Sequence, residues 1–191
     1  MATDLIFAPL GGVGEIGMNA GLYGFGEGAK RRWLMVDCGV LFGDPAGTPG
    51  IDLIMPDIRY AKARRNEIEA LVLTHAHEDH YGALLDLWPE LRCPVYATPF
   101  AAAMLESKRA SEKGAPKIDV RVIPQGGSFK AGPFEVEFVA VAHSIPESCA
   151  LAIRTPAGLV VHTGDWKIDA TPVLGRPTDE KRLRELGEEG V

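Results

Sequence analysis

Thr74-His75-Ala76-His77-Glu78-Asp79-His80 decides how the chain is read, because it holds three of the five histidines directly after the apolar run Ala70-Leu71-Val72-Leu73. That run predicts a strand over residues 69–74, ending where the histidines begin. Leu84, Leu85, Leu87 and Trp88 recur at helical spacing and predict a helix over residues 81–91. His75 and His77 are two apart, and in extended backbone such side chains point to one side. Both imidazoles can therefore reach one metal ion. Asp79 and His80 fall where the chain turns into the helix and point to a neighbouring spot. The pattern H-x-H-x-D-H thus offers ligands for two adjacent metal positions. Nitrogen and carboxylate donors suit zinc first, with manganese as the alternative.

Such a site needs ligands from elsewhere in the chain. His143 and Asp165 each stand at the end of a predicted strand. A carboxylate bridges two cations more easily than an imidazole does, so Asp165 suits the place between the metals. His162 precedes Asp165 by three residues, faces the other way along a strand, and is expected in the core or supporting a ligand. Asp37 ends a third predicted strand over residues 33–39, where it can accept a hydrogen bond from a metal-bound histidine or act as a turn residue. Two metals about 3.5–4 Å apart lower the pKa of a shared water and clamp the attacked oxygen, which suits hydrolysis of an ester, a lactam or a phosphodiester. No Ser-His-Asp or Cys-His arrangement competes.

The rest of the chain reads as runs of strands with helices between them, an α+β pattern in one domain. Strands are expected over residues 5–10, 94–97, 120–123, 134–141, 149–154 and 159–162. Helices are expected over residues 58–68, 99–113 and 179–189. Residues 40–57, rich in Gly, Pro and Asp, read as a surface loop. Gly12, Gly14 and Gly17 spell G-x-G-x-x-G after the first strand, with Asp37 downstream. A dinucleotide fingerprint requires a helix to open there. The glycines at 21, 24 and 26 instead favour a second strand in a hairpin, so no nucleotide cofactor is expected. The glycines then serve tight turns near the floor of the site.

With 191 residues, 46% apolar and 24% charged, the chain is long enough for one packed domain and short for two. No apolar run approaches the roughly 20 residues that span a bilayer. Residues 1–4 carry no basic region of a secretory signal, so the cytoplasm is the expected location. Cys38, Cys93 and Cys149 are scattered and read as small buried side chains rather than disulfides or thiolate ligands. The net charge of −6 argues against a polyanion track on this chain alone, and the basic clusters around residues 30–32, 59–65 and 108–113 read as solvated faces.

The T-H-x-H-x-D-H stretch with a downstream His and Asp resembles the metallo-β-lactamase superfamily. Pro9 to Asn19, Gly50 to Asp57, Ala142 to Ser148 and His162 to Asp169 narrow the resemblance to the ribonuclease J family, from about residue 5 to the end. It implies an αβ/βα sandwich, present here over residues 1–191 as the N-terminal part of that domain, before a β-CASP insertion and a C-terminal domain. It implies zinc held by His75, His77 and His143 with Asp165 bridging, and a second zinc held by Asp79, His80 and Asp165. The last histidine ligand of the second zinc lies beyond the insertion. Asp37 would be the buried acid behind the histidine loop, and Asp79, His80 and Asp165 the catalytic residues. The activity implied is RNA cleavage, 5′-to-3′ exonucleolytic and endonucleolytic, in RNA processing and decay, by a homodimer or homotetramer. The alternatives are a glyoxalase II-like small-molecule hydrolase and a non-catalytic metal-binding fragment.

Overall fold

The apolar run before Thr74 forms a strand buried on both faces, and the sandwich is built around it. The computed structural model describes residues 4–191; the first three residues of the segment read as lacking a signal lie outside the described part. In chain order the elements are β1 (Leu5–Gly11), β2 (Ala20–Phe25), β3 (Arg32–Val36), β4 (Leu41–Phe42), β5 (Leu53–Ile54), α1 (Arg59–Ala63), β6 (Ile68–Val72), α2 (Glu78–Tyr81), α3 (Leu84–Leu91), β7 (Val95–Ala97), α4 (Pro99–Ser111), β8 (Val120–Val122), β9 (Ser128–Ala131), β10 (Phe134–Ala140), β11 (Cys149–Thr155), β12 (Gly158–His162) and α5 (Glu180–Glu189).

One sheet has the strand order β1-β2-β3-β6-β7-β8 and a second the order β12-β11-β10-β9. In the first, β1, β2 and β3 are antiparallel neighbours, while β3, β6, β7 and β8 run parallel. The second sheet is antiparallel throughout. Parallel strands covered on both sides are apolar on both faces. Accordingly Leu34 and Val36 of β3 and Ala70 and Val72 of β6 meet Phe134, Val136, Phe138, Leu151 and Ile153 between the sheets. On the opposite side, Trp33, Met35 and Leu71 pack against Leu84, Leu85 and Leu91 of α3 and Ala101 and Leu105 of α4. The outer face of the second sheet is covered by Leu183 and Leu186 of α5. Glu137 on that face accepts from Arg182 at 2.7 Å and from Arg154 at 3.0 Å, which ties α5 to β10. The result is a four-layer α/β/β/α sandwich, as the resemblance implies.

Two expectations are corrected. Residues 40–57 are not purely a surface loop: Leu41–Phe42 pairs with Leu53–Ile54 as a two-stranded ribbon, and Val40 is buried. The helix expected over residues 81–91 is observed as α3, which starts at Leu84; Tyr81 closes the separate short α2, and Gly82-Ala83 part the two. A Cβ on Gly82 would fall 2.3 Å from the Glu78 carbonyl oxygen, so a side chain there would force the turn to shift. The glycine-rich segment after β1 forms bends and no helix, with φ of +79° at Gly12 and +80° at Gly14. The three cysteines are free and buried.

Candidate metal centre

Four strands, β3, β6, β10 and β12, finish at one end of the sandwich, the carboxyl-end location where open sheets commonly place their sites. Asp37 follows β3, Thr74 to His80 follow β6, His143 follows β10, and Asp165 follows β12. The backbone there is tightly layered. Cys38 N donates to His80 O at 2.7 Å, Val40 N to Glu78 O at 3.0 Å, and Asn19 N to Asp79 O at 2.9 Å. A Cβ on Gly39 would lie 1.7 Å from Asp79 O, so glycine alone permits this approach.

His75, His77 and His143 converge. His75 Nε2 lies 3.0 Å from His77 Nδ1, and His143 Nε2 lies 3.2 Å from the same atom. These three nitrogens all lie within 4.8 Å of one another and could hold a metal ion. A second group with the same spacing limit is His75, His80 and Asp165. His80 Nε2 is 3.5 Å from Asp165 Oδ2, and His143 Nε2 is 3.7 Å from that same oxygen. Asp165 thus sits between the two groups. Asp79 is not one of the second trio; its Oδ2 lies 3.6 Å from His80 Nε2. His162 stands apart, with its Nδ1 3.0 Å from the hydroxyl of Tyr23 between the sheets.

Asp37 is fully enclosed and serves the histidine loop from behind. Its Oδ1 accepts from Thr74 N at 2.8 Å, its Oδ2 from the Thr74 hydroxyl at 2.9 Å, and Oδ2 also lies 2.8 Å from His80 Nδ1. The Asp37 backbone has φ of +60°, a left-handed conformation that Asp tolerates better than most residues. Burial alone would raise the Asp37 carboxyl, yet the His80 imidazole beside it holds it below the usual carboxylate range. Burial alone would lower His80, but Asp37 and Asp165 outweigh that and hold it up, at about 10. The hydrogen bond with His80 draws Asp165 down to about 2. Burial and the charge on His80 push His75 down to about 3. Burial and His77 likewise lower His143.

These are the properties of a cation-binding centre. The lowered imidazoles are neutral and keep lone pairs for a metal. The ionised carboxylates around His80 demand positive charge, which a proton supplies when no metal does. The donor set of imidazole nitrogens and carboxylate oxygens fits a divalent transition metal.

Residue types and spacing alone do not single out two contributors. Asn19 Nδ2 donates to Asp79 O at 3.1 Å and lies 3.1 Å from His80 Nε2. Glu147, at φ +57°, accepts from Phe100 N at 2.7 Å and so pins the loop of His143 to the first turn of α4. A shallow cavity of about 190 Å³ adjoins the centre, lined in part by Gly12, Asn19, His80, His162 and Asp165.

Comparison with known proteins agrees with this architecture. The chain is 60% identical along its whole length to a protein named ribonuclease J from Sinorhizobium meliloti, covering 34% of that relative. It is 45% identical along its whole length to ribonuclease J from Corynebacterium glutamicum, covering 26% of that one. The chain therefore spans about a third or less of the curated relatives it matches. Among solved structures, the Rm3 metallo-beta-lactamase superposes with a TM-score of 0.56 at 21% identity, over 96% of this chain and 69% of the other, a likeness of fold. The family model for the beta-lactamase superfamily domain matches residues 32–178, a span that contains the histidine loop, His143 and Asp165. The chain belongs to the beta-lactamase superfamily domain family.

Proposed function

We propose that the chain carries the metal-binding core of a ribonuclease that hydrolyses RNA phosphodiesters. The carrying observation is the meeting of His75, His77 and His143 beside His80 and Asp165 in a chain similar along its whole length to proteins named ribonuclease J. His75, His77 and His143 would hold one divalent ion, and His80, Asp79 and Asp165 a second. Zinc is the first choice for this donor set and manganese the alternative. Divalent ions there supply Lewis-acid polarisation of a phosphoryl oxygen and an acidified water.

The chain's own residues set the charge at this end. Asp37, Asp79 and Asp165 surround His80, and the chain carries a net charge of −6. An RNA phosphate approaching this end without cations in place meets net negative charge. Divalent ions held there would offset that charge. Asp37 and Asn19 orient the His80 loop, and Glu147 sets the loop of His143. On this reading the whole protein acts 5′-to-3′ exonucleolytically and endonucleolytically on RNA in the cytoplasm, as a homo-oligomer with β-CASP and C-terminal domains. Among the described residues, no helix is long and apolar enough to cross a membrane.

The test uses the natural protein in which this chain occurs, loaded with zinc or with manganese. It is assayed on a 5′-monophosphorylated RNA oligomer and on a thioester, and bound metal is measured by elemental analysis. Metal-dependent release of nucleotides is the expected result. Thioester hydrolysis without RNA cleavage would replace the proposal with a small-molecule hydrolase.

A further inference from the structure

The hydroxyl of Thr74 has a role that follows from its proton inventory. Thr74 is fully buried, and its Oγ1 has two close polar partners: Asp37 Oδ2 at 2.9 Å and His75 Nδ1 at 3.0 Å. His80 Nδ1 is farther from it, at 3.4 Å, and is spoken for by Asp37 Oδ2 at 2.8 Å. An ionised carboxylate can only accept, and a threonine hydroxyl has one proton to give. That proton must go to Asp37. The hydroxyl oxygen can then only accept from His75, so the His75 ring must carry its proton on Nδ1. Its Nε2 is left with a lone pair aimed at His77 and His143.

We infer that the Thr74 hydroxyl is a positioning group: it relays the charge of Asp37 to His75 and fixes the His75 tautomer that can bind a metal. One carboxylate oxygen then orients both rings, His80 directly and His75 through the hydroxyl. This rests on the metal-centre assignment above, but the tautomer itself does not.

Two measurements test it. In the metal-free protein, long-range proton–nitrogen NMR correlations report which nitrogen of His75 holds the proton. The wild type is expected to show Nδ1–H alone; Nε2–H in the wild type overturns the relay without any variant. Thr74→Val keeps the shape and removes the hydroxyl, whereas Thr74→Ser keeps the hydroxyl. Thr74→Val is expected to show mixed or Nε2–H tautomers at His75 while His80 keeps its proton on Nδ1. Its zinc affinity, measured by competition with a chromophoric chelator, is expected to fall about 10- to 100-fold, as for other partners of metal-binding histidines. Thr74→Ser is expected to restore both. An unchanged His75 tautomer and unchanged affinity in Thr74→Val refute the role. A wild type that binds no divalent ion sinks the metal assignment instead, and the NMR result still judges the relay.

Discussion

Asp37 Oδ2 stands 2.8 Å from His80 Nδ1, and the two side chains are only 2% and 3% exposed. Replacing Asp37 by Asn keeps a residue that tolerates the left-handed backbone but removes the charge that holds the His80 pKa up. Asp37→Asn is expected to lower divalent-metal affinity about 10- to 100-fold. Isothermal titration with zinc would show this, and an unchanged affinity would mean that the buried acid is only a turn former.

His77 and His162 are both near the centre but have different partners. His77→Ala removes the nitrogen that faces both His75 and His143. It is expected to lose metal and activity together. His162→Ala breaks the contact with Tyr23 and should keep most of its metal, with a stability loss of about 1 kcal/mol. Elemental analysis of the two purified variants separates them; full occupancy in His77→Ala would refute the ligand assignment.

Gly39 offers a mechanical test. A Cβ there would overlap the Asp79 carbonyl oxygen, and the loop bearing Asp79 and His80 must shift to admit it. Gly39→Ala is expected to cost about 1–3 kcal/mol or more, typical of overpacking. The denaturant midpoint should drop with an unchanged slope, and metal affinity should drop with it.

The metal-free protein should have a stability maximum near neutral pH. His80 is raised to about 10, above the ordinary histidine value of roughly 6.5. Its contribution is fully present below about 6.5 and is lost as the pH rises through about 10. His75 is lowered to about 3. The unfolded chain takes up a proton there that the folded chain refuses, so stability falls as the pH drops from about 6.5 toward 3. Chemical denaturation of the chelator-treated protein across this range should trace a dome. Zinc should flatten its alkaline limb, since a cation then replaces the His80 proton.

Much of the centre was legible because its residues sit next to strong local signals. Ala70 to Leu73 announces a buried strand, and three histidines and an aspartate within six residues have few structural uses. His143 and Asp165 could be joined to them because each follows an apolar run. Asn19 could not, since its contact with Asp79 and His80 spans about sixty residues and the glycine-rich stretch it closes points to a family without giving Asn19 itself a role. Glu147 was equally silent: its partner is a backbone N–H of α4, which has no sequence signature. The β4–β5 ribbon escaped because two-residue strands have no periodicity to detect. Spacing put Asp79 beside His80, and its Oδ2 lies 3.6 Å from His80 Nε2 and 3.4 Å from Asn19 Nδ2, while the packing that also brings His75 close to His80 and Asp165 has no counterpart in the spacing.

His75 and His77 are carried by the six-stranded sheet, while His143 and Asp165 are carried by the four-stranded one. An ion held by them would cross-link two layers otherwise joined by side-chain packing and by contacts such as Cys149 N to Thr74 O. Its loss should be felt as breathing at that rim. Amide hydrogens of Leu73, Cys149 and Lys167 would exchange faster after chelation, while those midway along β10 and β11 would keep their protection. Metal starvation would then register first as proteolytic susceptibility at one end of the sandwich, before any loss of the fold.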